Sequence, residues 1–233
     1  MTRLTIGALQ SDLGIDPATP GFGRVFGPRS KAALFAAFSN PGAPALIPAD
    51  FAAAATRLGV PVGHIVGVRK VEAPRGPFDD QGRPTILYER HKFRAACDPA
   101  GCFDGSNPDI SGPPYGAGGY GPFSAQYDRL AAACALDPHA AFAACSWGAF
   151  QVMGENAAAL GYGTPYEMAK ALRQSESAHL DSFVRFVEWK GLTNKLRACR
   201  PNDPDSCRDF VRGYNGANFE QFNYHEKFAR AIA

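Results

Sequence analysis

Two glutamates carry most of the chemistry that this sequence offers. In "GRPTILYERHKF", residues 82–93, Glu89 stands directly against Arg90, His91 and Lys92. Neighbouring positive charge favours the ionised form of a carboxylate. Glu89 is therefore expected either as a charged base or as one half of an ion pair with Arg90 or Arg94. In "PVGHIVGVRKVEA", Ile65, Val68 and Glu72 stand at i, i+3 and i+7, which places Glu72 on the apolar face of a helix, near its end. Loss of water there disfavours the charge, raises the pKa and leaves a proton to donate near neutral pH. The alternative is a side chain turned to solvent at a fraying terminus. One protonated and one ionised carboxylate are the pair that glycoside hydrolysis uses.

Two further stretches place polar groups among small residues. "SWGAFQVMG" sets Trp147, Phe150 and Met153 beside Ser146 and Gln151, and a glutamine amide both donates and accepts, as an acetamido sugar requires. "GYNGANF" puts the phenol of Tyr214 and the amide of Asn215 on a tight turn before Gly216. Both stretches also fit a plain core-and-turn role, since aromatics at helical spacing are usually core.

Other chemistries find less support. The five histidines (His64, His91, His139, His179, His225) are scattered without the HExxH spacing of a metallopeptidase, and no metal or cofactor is expected. His91 reads as a structural hydrogen-bonder beside Glu89. The six cysteines fall into close pairs, Cys97 with Cys102, Cys134 with Cys145 and Cys199 with Cys207. Pairs across turn-rich segments such as "CDPAGC" and "CRPNDPDSC" are expected as disulfides, with free thiols or a metal site as alternatives.

The elements that must position these groups are mostly helices. Residues 1–45 read as two short helices around a glycine-rich turn, set apart by the linker "NPGAPALIP". Asp50 is expected to cap "FAAAATRLG", which stops at Gly59, and Pro61 to open the helix that ends at Glu72. Residues 76–93 read as two short strands around "FDDQGRP". Residues 97–123 hold too much Gly and Pro for a regular element, and so long a loop suggests the rim of a cleft. Asp137-Pro138 opens a helix expected to run through "HAAFAACSWGAFQVM". Thr164 caps "EMAKALRQ" in a capping box with Glu167, and "SESAHLDSFVRFVEWKG" buries Leu180, Phe183, Val184 and Val187 before Gly191 stops it. The fold class is α+β, mostly helical with one small sheet.

Composition narrows the partners. A chain of 233 residues with 45% hydrophobic content can bury one substantial core. A net charge of +2 without a dense basic patch gives no argument for nucleic acid. Neither a signal-peptide-like apolar run nor a membrane-spanning segment is read in it. Oxidised cysteine pairs in a chain without such a signal suggest a protein made in the cytoplasm that acts outside it. A monomer is the default.

The combination "KVEAPRGPF", "GRPTILYERHKF", "CSWGAFQVMGENAAALGY" and "GYNGANF" resembles the phage-type N-acetylmuramidase family of endolysins and bacteriolytic effectors, over about residues 46–233. The order of elements is more distantly similar to goose-type lysozymes and soluble lytic transglycosylases. The resemblance implies a lysozyme-like fold acting on peptidoglycan, with Glu72 as general acid and Glu89 handling water or the developing positive charge. It also implies that Ser146, Gln151, Tyr214 and Asn215 line the sugar-binding cleft. The sequence departs from those relatives after the glutamate, where Ala73, Pro74 and Arg75 stand in place of small residues and glycines. Residues 1–45, with "LQSDLGI" and "FGPRSKAAL", resemble a peptidoglycan-binding helical module, with packing against the rest of the chain as the alternative. A lytic transglycosylase and a non-catalytic wall-binding protein are the rival readings.

Overall fold

The computed structural model describes residues 3–115 and 119–233. Two short helices lead the chain, α1 (Ile6–Asp12) and α2 (Pro28–Phe38). Helices α3 (Pro48–Leu58) and α4 (Val62–Glu72) follow. The break between them matches the sequence reading: Gly59 takes the left-handed conformation at φ 61° and ends α3. Asp50 sits inside the first turn of α3, where its carboxylate accepts from the Ile47 N–H at 2.9 Å.

The sheet is small, three antiparallel strands in the order β1 (Ile86–Tyr88), β2 (Cys145–Trp147), β3 (Val152–Met153). Its register sets Leu87 opposite Ser146 and Ser146 opposite Met153. The sequence-based expectation of two strands over residues 76–93 is corrected here. "FDDQGRP" is a turn in which the Asp79 carboxylate accepts from the backbone N–H of Gln81 and Arg83, each at 2.9 Å. Only one named strand follows, and Arg90–Ala96 forms helix α5.

Helices α6 (Gln126–Cys134) and α7 (Pro138–Ala143) pack behind the sheet. The helix expected through "SWGAFQVM" ends instead at Ala143, and the segment turns back as β2 and β3. Gly148 enforces that turn. Its φ is 69°, and a Cβ there would meet the ring of His179 at 2.6 Å. The His179 imidazole is satisfied from both sides: Nδ1 accepts from the Ala149 N–H at 3.1 Å and Nε2 donates to the Leu172 carbonyl at 2.7 Å. Burial holds it neutral, with a pKa near 4.

The chain closes with α8 (Pro165–Leu172), α9 (Glu176–Trp189), α10 (Thr193–Ala198), α11 (Pro204–Asn215) and α12 (Tyr224–Ala231). Leu180, Phe183, Val184 and Val187 of α9 are buried as the spacing predicts.

The leading segment shares this core. The Phe38 ring stacks on Phe142 and lies near Trp147, both at 5.8 Å between centroids. The Tyr166 hydroxyl donates to Asp12 at 2.6 Å. The Pro/Gly stretch after α2 is also tied down, since the Pro44 carbonyl accepts from the Glu176 N–H at 2.9 Å.

The structure carries all six cysteines as free thiols. Cys97 and Cys102 perturb each other's thiol, as do Cys199 and Cys207, so each of these two pairs lies close in space. Three thiols also find carbonyl acceptors within a helical turn. Cys97 reaches the Arg94 oxygen at 3.3 Å, Cys145 that of Ala141 at 3.5 Å and Cys199 that of Lys195 at 3.3 Å. Cys134 and Cys145 lie wholly inside the core, where a thiol acts as a small apolar side chain.

Candidate active site

Glu72 is the last residue of α4. The helix reaches this position because Gly67 lets α12 approach closely; a Cβ there would collide with the Ile232 side chain just beyond α12. Ile65 and Val68 are buried as the i, i+3, i+7 pattern requires. The carboxyl group therefore enters a narrow apolar pocket formed with Val68, Phe210, Tyr214, Asn215 and Tyr224. Burial pushes its pKa up to about 7, against the opposing effects of an Asn215 hydrogen bond and the positive charge of Lys227.

Asn215 Nδ2 donates to Glu72 Oε1 at 2.7 Å. Asn215 and Tyr214 border both this pocket and a much larger cleft of about 850 Å³. Glu72 thus sits behind the cleft wall, with its partner amide in the wall itself. The Tyr214 hydroxyl is spent within the protein, donating to the Phe150 carbonyl at 2.5 Å, and its ring stacks on Phe210 at 5.6 Å. Its contribution is to hold the last turn of α11 in place.

Glu89 lines the large cleft. It caps α5, and its N–H donates to the Ala144 carbonyl at 3.0 Å. The basic run around it disperses. Arg90 donates to the carbonyls of Pro113 and Pro108 and lies over the Tyr115 ring. Lys92 pairs with Glu155 at 2.7 Å, and Arg94 with Asp104 at 2.5 Å. His91 Nε2 stands 3.6 Å from the Glu89 carboxylate, beyond a good hydrogen bond, and burial lowers the His91 pKa. The expectation that three basic neighbours hold Glu89 ionised is therefore corrected in direction. Burial raises its pKa, Lys92 opposes this and Glu155 adds to it. Burial thus acts in the same direction on both carboxyl groups, and it carries Glu72 up to about 7.

Ser146 is buried and does not line the cleft; its hydroxyl donates to Gln151 Oε1 at 2.7 Å. Gln151 does line it, held in a left-handed conformation at φ 48°. Its amide nitrogen donates to the carbonyls of Gly148 at 2.8 Å and Thr85 at 3.3 Å. Both donors are used inside the protein, which leaves a lone pair on Oε1 as the group it can offer a ligand. Ser146 is the residue that orients it.

Tyr120 and Tyr224 belong to the same surroundings and were not singled out from sequence. Tyr120 lines the cleft with Glu89, and Tyr224 shares the pocket of Glu72. No local signal marks Tyr224, because its neighbours come from α4 and α11. Among the described residues no group of three or more metal-ligating side chains converges.

A family model described as N-acetylmuramidase matches residues 61–233, about three quarters of the chain. The crystal structure of Burkholderia AP3 phage endolysin is similar over 99% of this chain and 95% of that one, at 30% sequence identity and a TM-score of 0.69. No curated protein matches.

Proposed function

The chain belongs to the N-acetylmuramidase family, and from that premise we propose that Glu72 is the general acid and Glu89 its partner carboxylate. The enzyme is a glycoside hydrolase, its substrate is peptidoglycan and its place of action is the bacterial cell wall. The bond cleaved is the β-1,4 link between N-acetylmuramic acid and N-acetylglucosamine. The observation that carries the assignment of roles is the Glu72 carboxyl group, whose pKa is raised to about 7 while Asn215 holds one oxygen at 2.7 Å. Such a group keeps a substantial protonated fraction near neutral pH and can give that proton to the glycosidic oxygen. Glu89 takes a proton from water as the water oxygen bonds to the sugar.

Asn215 and the Gln151 acceptor are the cleft-wall groups we assign to the sugar, with Tyr214 and Ser146 positioning them. The similarity to a phage endolysin supports a wall-lysing role. Residues 1–45 are proposed to serve the enzyme as part of its core, and any wall binding by this segment would act from that fixed position.

A second reading keeps Glu72 alone as acid and base and lets the muramyl 6-hydroxyl replace water. Burial of Glu89, which disfavours its charged form, is what supports it. Digestion of purified peptidoglycan followed by mass spectrometry separates the two. Reducing muramic acid ends are expected; anhydro-muramic ends alone would remove Glu89 from the chemistry.

A further inference from the structure

The acidic and basic side chains that line the large cleft are Glu89, His91, Lys92, Glu155 and Lys190. Four of them answer one another. Lys92 pairs with Glu155 at 2.7 Å, and His91 stands 3.6 Å from Glu89. Lys190 is left over: among the described residues its ammonium enters no ion pair and no hydrogen bond, and only aromatic rings lie beneath it.

The fold fixes where that charge stands. Lys190 is the C-cap of α9, and its N–H donates to the Phe186 carbonyl at 2.9 Å. A cation is favoured at a helix C-terminus, which accounts for the residue type but not for the direction of its ammonium. The ammonium lies 4.2 Å from the centre of the Trp189 ring and 6.0 Å from that of Phe186. Phe186 in turn meets Tyr214 edge-on at 5.3 Å. Lys190 therefore stands on the side of the cleft where α11 delivers Asn215.

Apolar surface is also open along this cleft. Phe222 lines it and is 56% exposed, and Trp189, which supports the ammonium, is 45% exposed. Open apolar surface rimmed by polar groups marks a ligand-binding groove, and a sugar ring has an apolar face to lay on it. The ammonium asks for something further. Covering it with a neutral sugar would cost its hydration without return, whereas an anion on the ligand repays that loss. The backbone of a glycan made of two acetamido sugars is uncharged. Its anions are carboxylates hung from the muramyl O3, on the lactyl ether or on the peptide that the ether carries.

We propose that Lys190 is a specificity-determining residue of this cleft, its ammonium pairing with a carboxylate on the muramyl O3 substituent of the bound glycan. The pair selects muramyl-containing chains over neutral acetamido glycans of the same backbone. This rests on peptidoglycan as the occupant of the cleft and on the catalytic site lying within it.

The test compares wild type, Lys190→Met and Lys190→Arg on soluble glycan chains that carry their stem peptides. Methionine keeps an unbranched stem over the Trp189 ring and removes the charge. KM is expected to rise about fivefold in Lys190→Met, the upper end of what an exposed ion pair contributes, with the change in KM rather than kcat. Lys190→Arg should restore the wild-type value, and added salt should raise the wild-type KM toward that of Lys190→Met. Lys195→Met, outside the cleft, should leave KM in place. On the same chains with every carboxylate coupled to an amide, wild type and Lys190→Met should converge. Chains stripped of peptide keep the lactyl carboxylate. A Lys190 effect that survives there places the anion on the lactyl group, and one that disappears places it on the peptide. A KM that does not move in Lys190→Met, or that rises equally on the amidated chains, overturns the proposal. Full turnover by Glu72→Gln would instead overturn the assignment of the acid, which is read in kcat and not in this comparison.

Discussion

The Asn215 amide donates to the Glu72 carboxylate at 2.7 Å, joining the end of α11 to the end of α4 across 143 positions of sequence. The bond favours the ionised form of Glu72, while burial favours the protonated form and prevails. Asn215 thus limits how far above its ordinary value the acid titrates, and fixes one of its oxygens. Asn215→Ala should raise the Glu72 pKa further and move the alkaline limb of the pH–rate profile to higher pH. A turbidity assay over a pH series checks this; a limb that stays in place would separate Asn215 from the acid.

Wild-type activity should be bell-shaped in pH. The alkaline limb lies near pH 7, where Glu72 loses its proton, and the acid limb where Glu89 gains one, above that group's ordinary value. Glu89→Gln should lower turnover and remove the acid limb. Loss of rate with that limb intact would place the second titrating group elsewhere.

Glu72→Gln should reduce turnover by roughly 10²–10⁴-fold, the usual worth of general acid catalysis. It should also stabilise the protein, in a pH-dependent way. The native pKa is raised from 4.5 to about 7, so the folded state binds more protons than the unfolded state between those values. Wild-type stability therefore falls as pH rises through this window, and the cost is complete above it. Glutamine keeps the acceptor for Asn215 and carries no charge. At pH 8 the variant should be more stable by about 1–3 kcal/mol, or roughly 2–4 °C in melting temperature for each kcal/mol. Below pH 4.5 the difference should vanish.

Phe38→Ala should cost about 3–5 kcal/mol, the usual penalty for emptying a buried aromatic site, because Phe38 is fully buried against Phe142 and Trp147. Deleting residues 1–45 should leave an unfolded or aggregated chain. Urea denaturation gives the first result and circular dichroism the second. A truncated chain with an undiminished melting transition would make the segment a separable module.

Adding dithiothreitol should leave the melting temperature unchanged, since all six cysteines are thiols. Thiol titration of the denatured, untreated protein should count six. A reductant-dependent fall in stability would restore the disulfides expected from sequence.

Periodicity was enough to place Glu72. A helix with Ile65 and Val68 on its buried face must carry residue 72 on that face, wherever the helix packs. The caps at Gly59 and Thr164, the buried face of α9 and the mostly helical α+β class were legible for the same reason: each depends on neighbours within a turn or two. The ionisation environment of Glu89 was not legible. Adjacent Arg90, His91 and Lys92 look like its partners in sequence, yet a helix beginning at Arg90 fans them toward Pro108, Pro113 and Glu155. "SWGAFQVM" read as helix because its apolar spacing suits one, while the close approach of His179 to Gly148 makes it a turn between strands. Likewise the cysteine spacings identified neighbours without saying whether their sulfurs are bonded.

The sequence by itself determined that the Glu72 carboxyl group lies on a buried helix face and which family the chain resembles, because both follow from local pattern and motif. Only the tertiary structure decided what surrounds that carboxyl group. Asn215, Tyr224 and Lys227 reach Glu72 through the packing of α11 and α12 on α4. Electrostatic effects on a buried acid depend on distance through space, which separation along the chain does not encode.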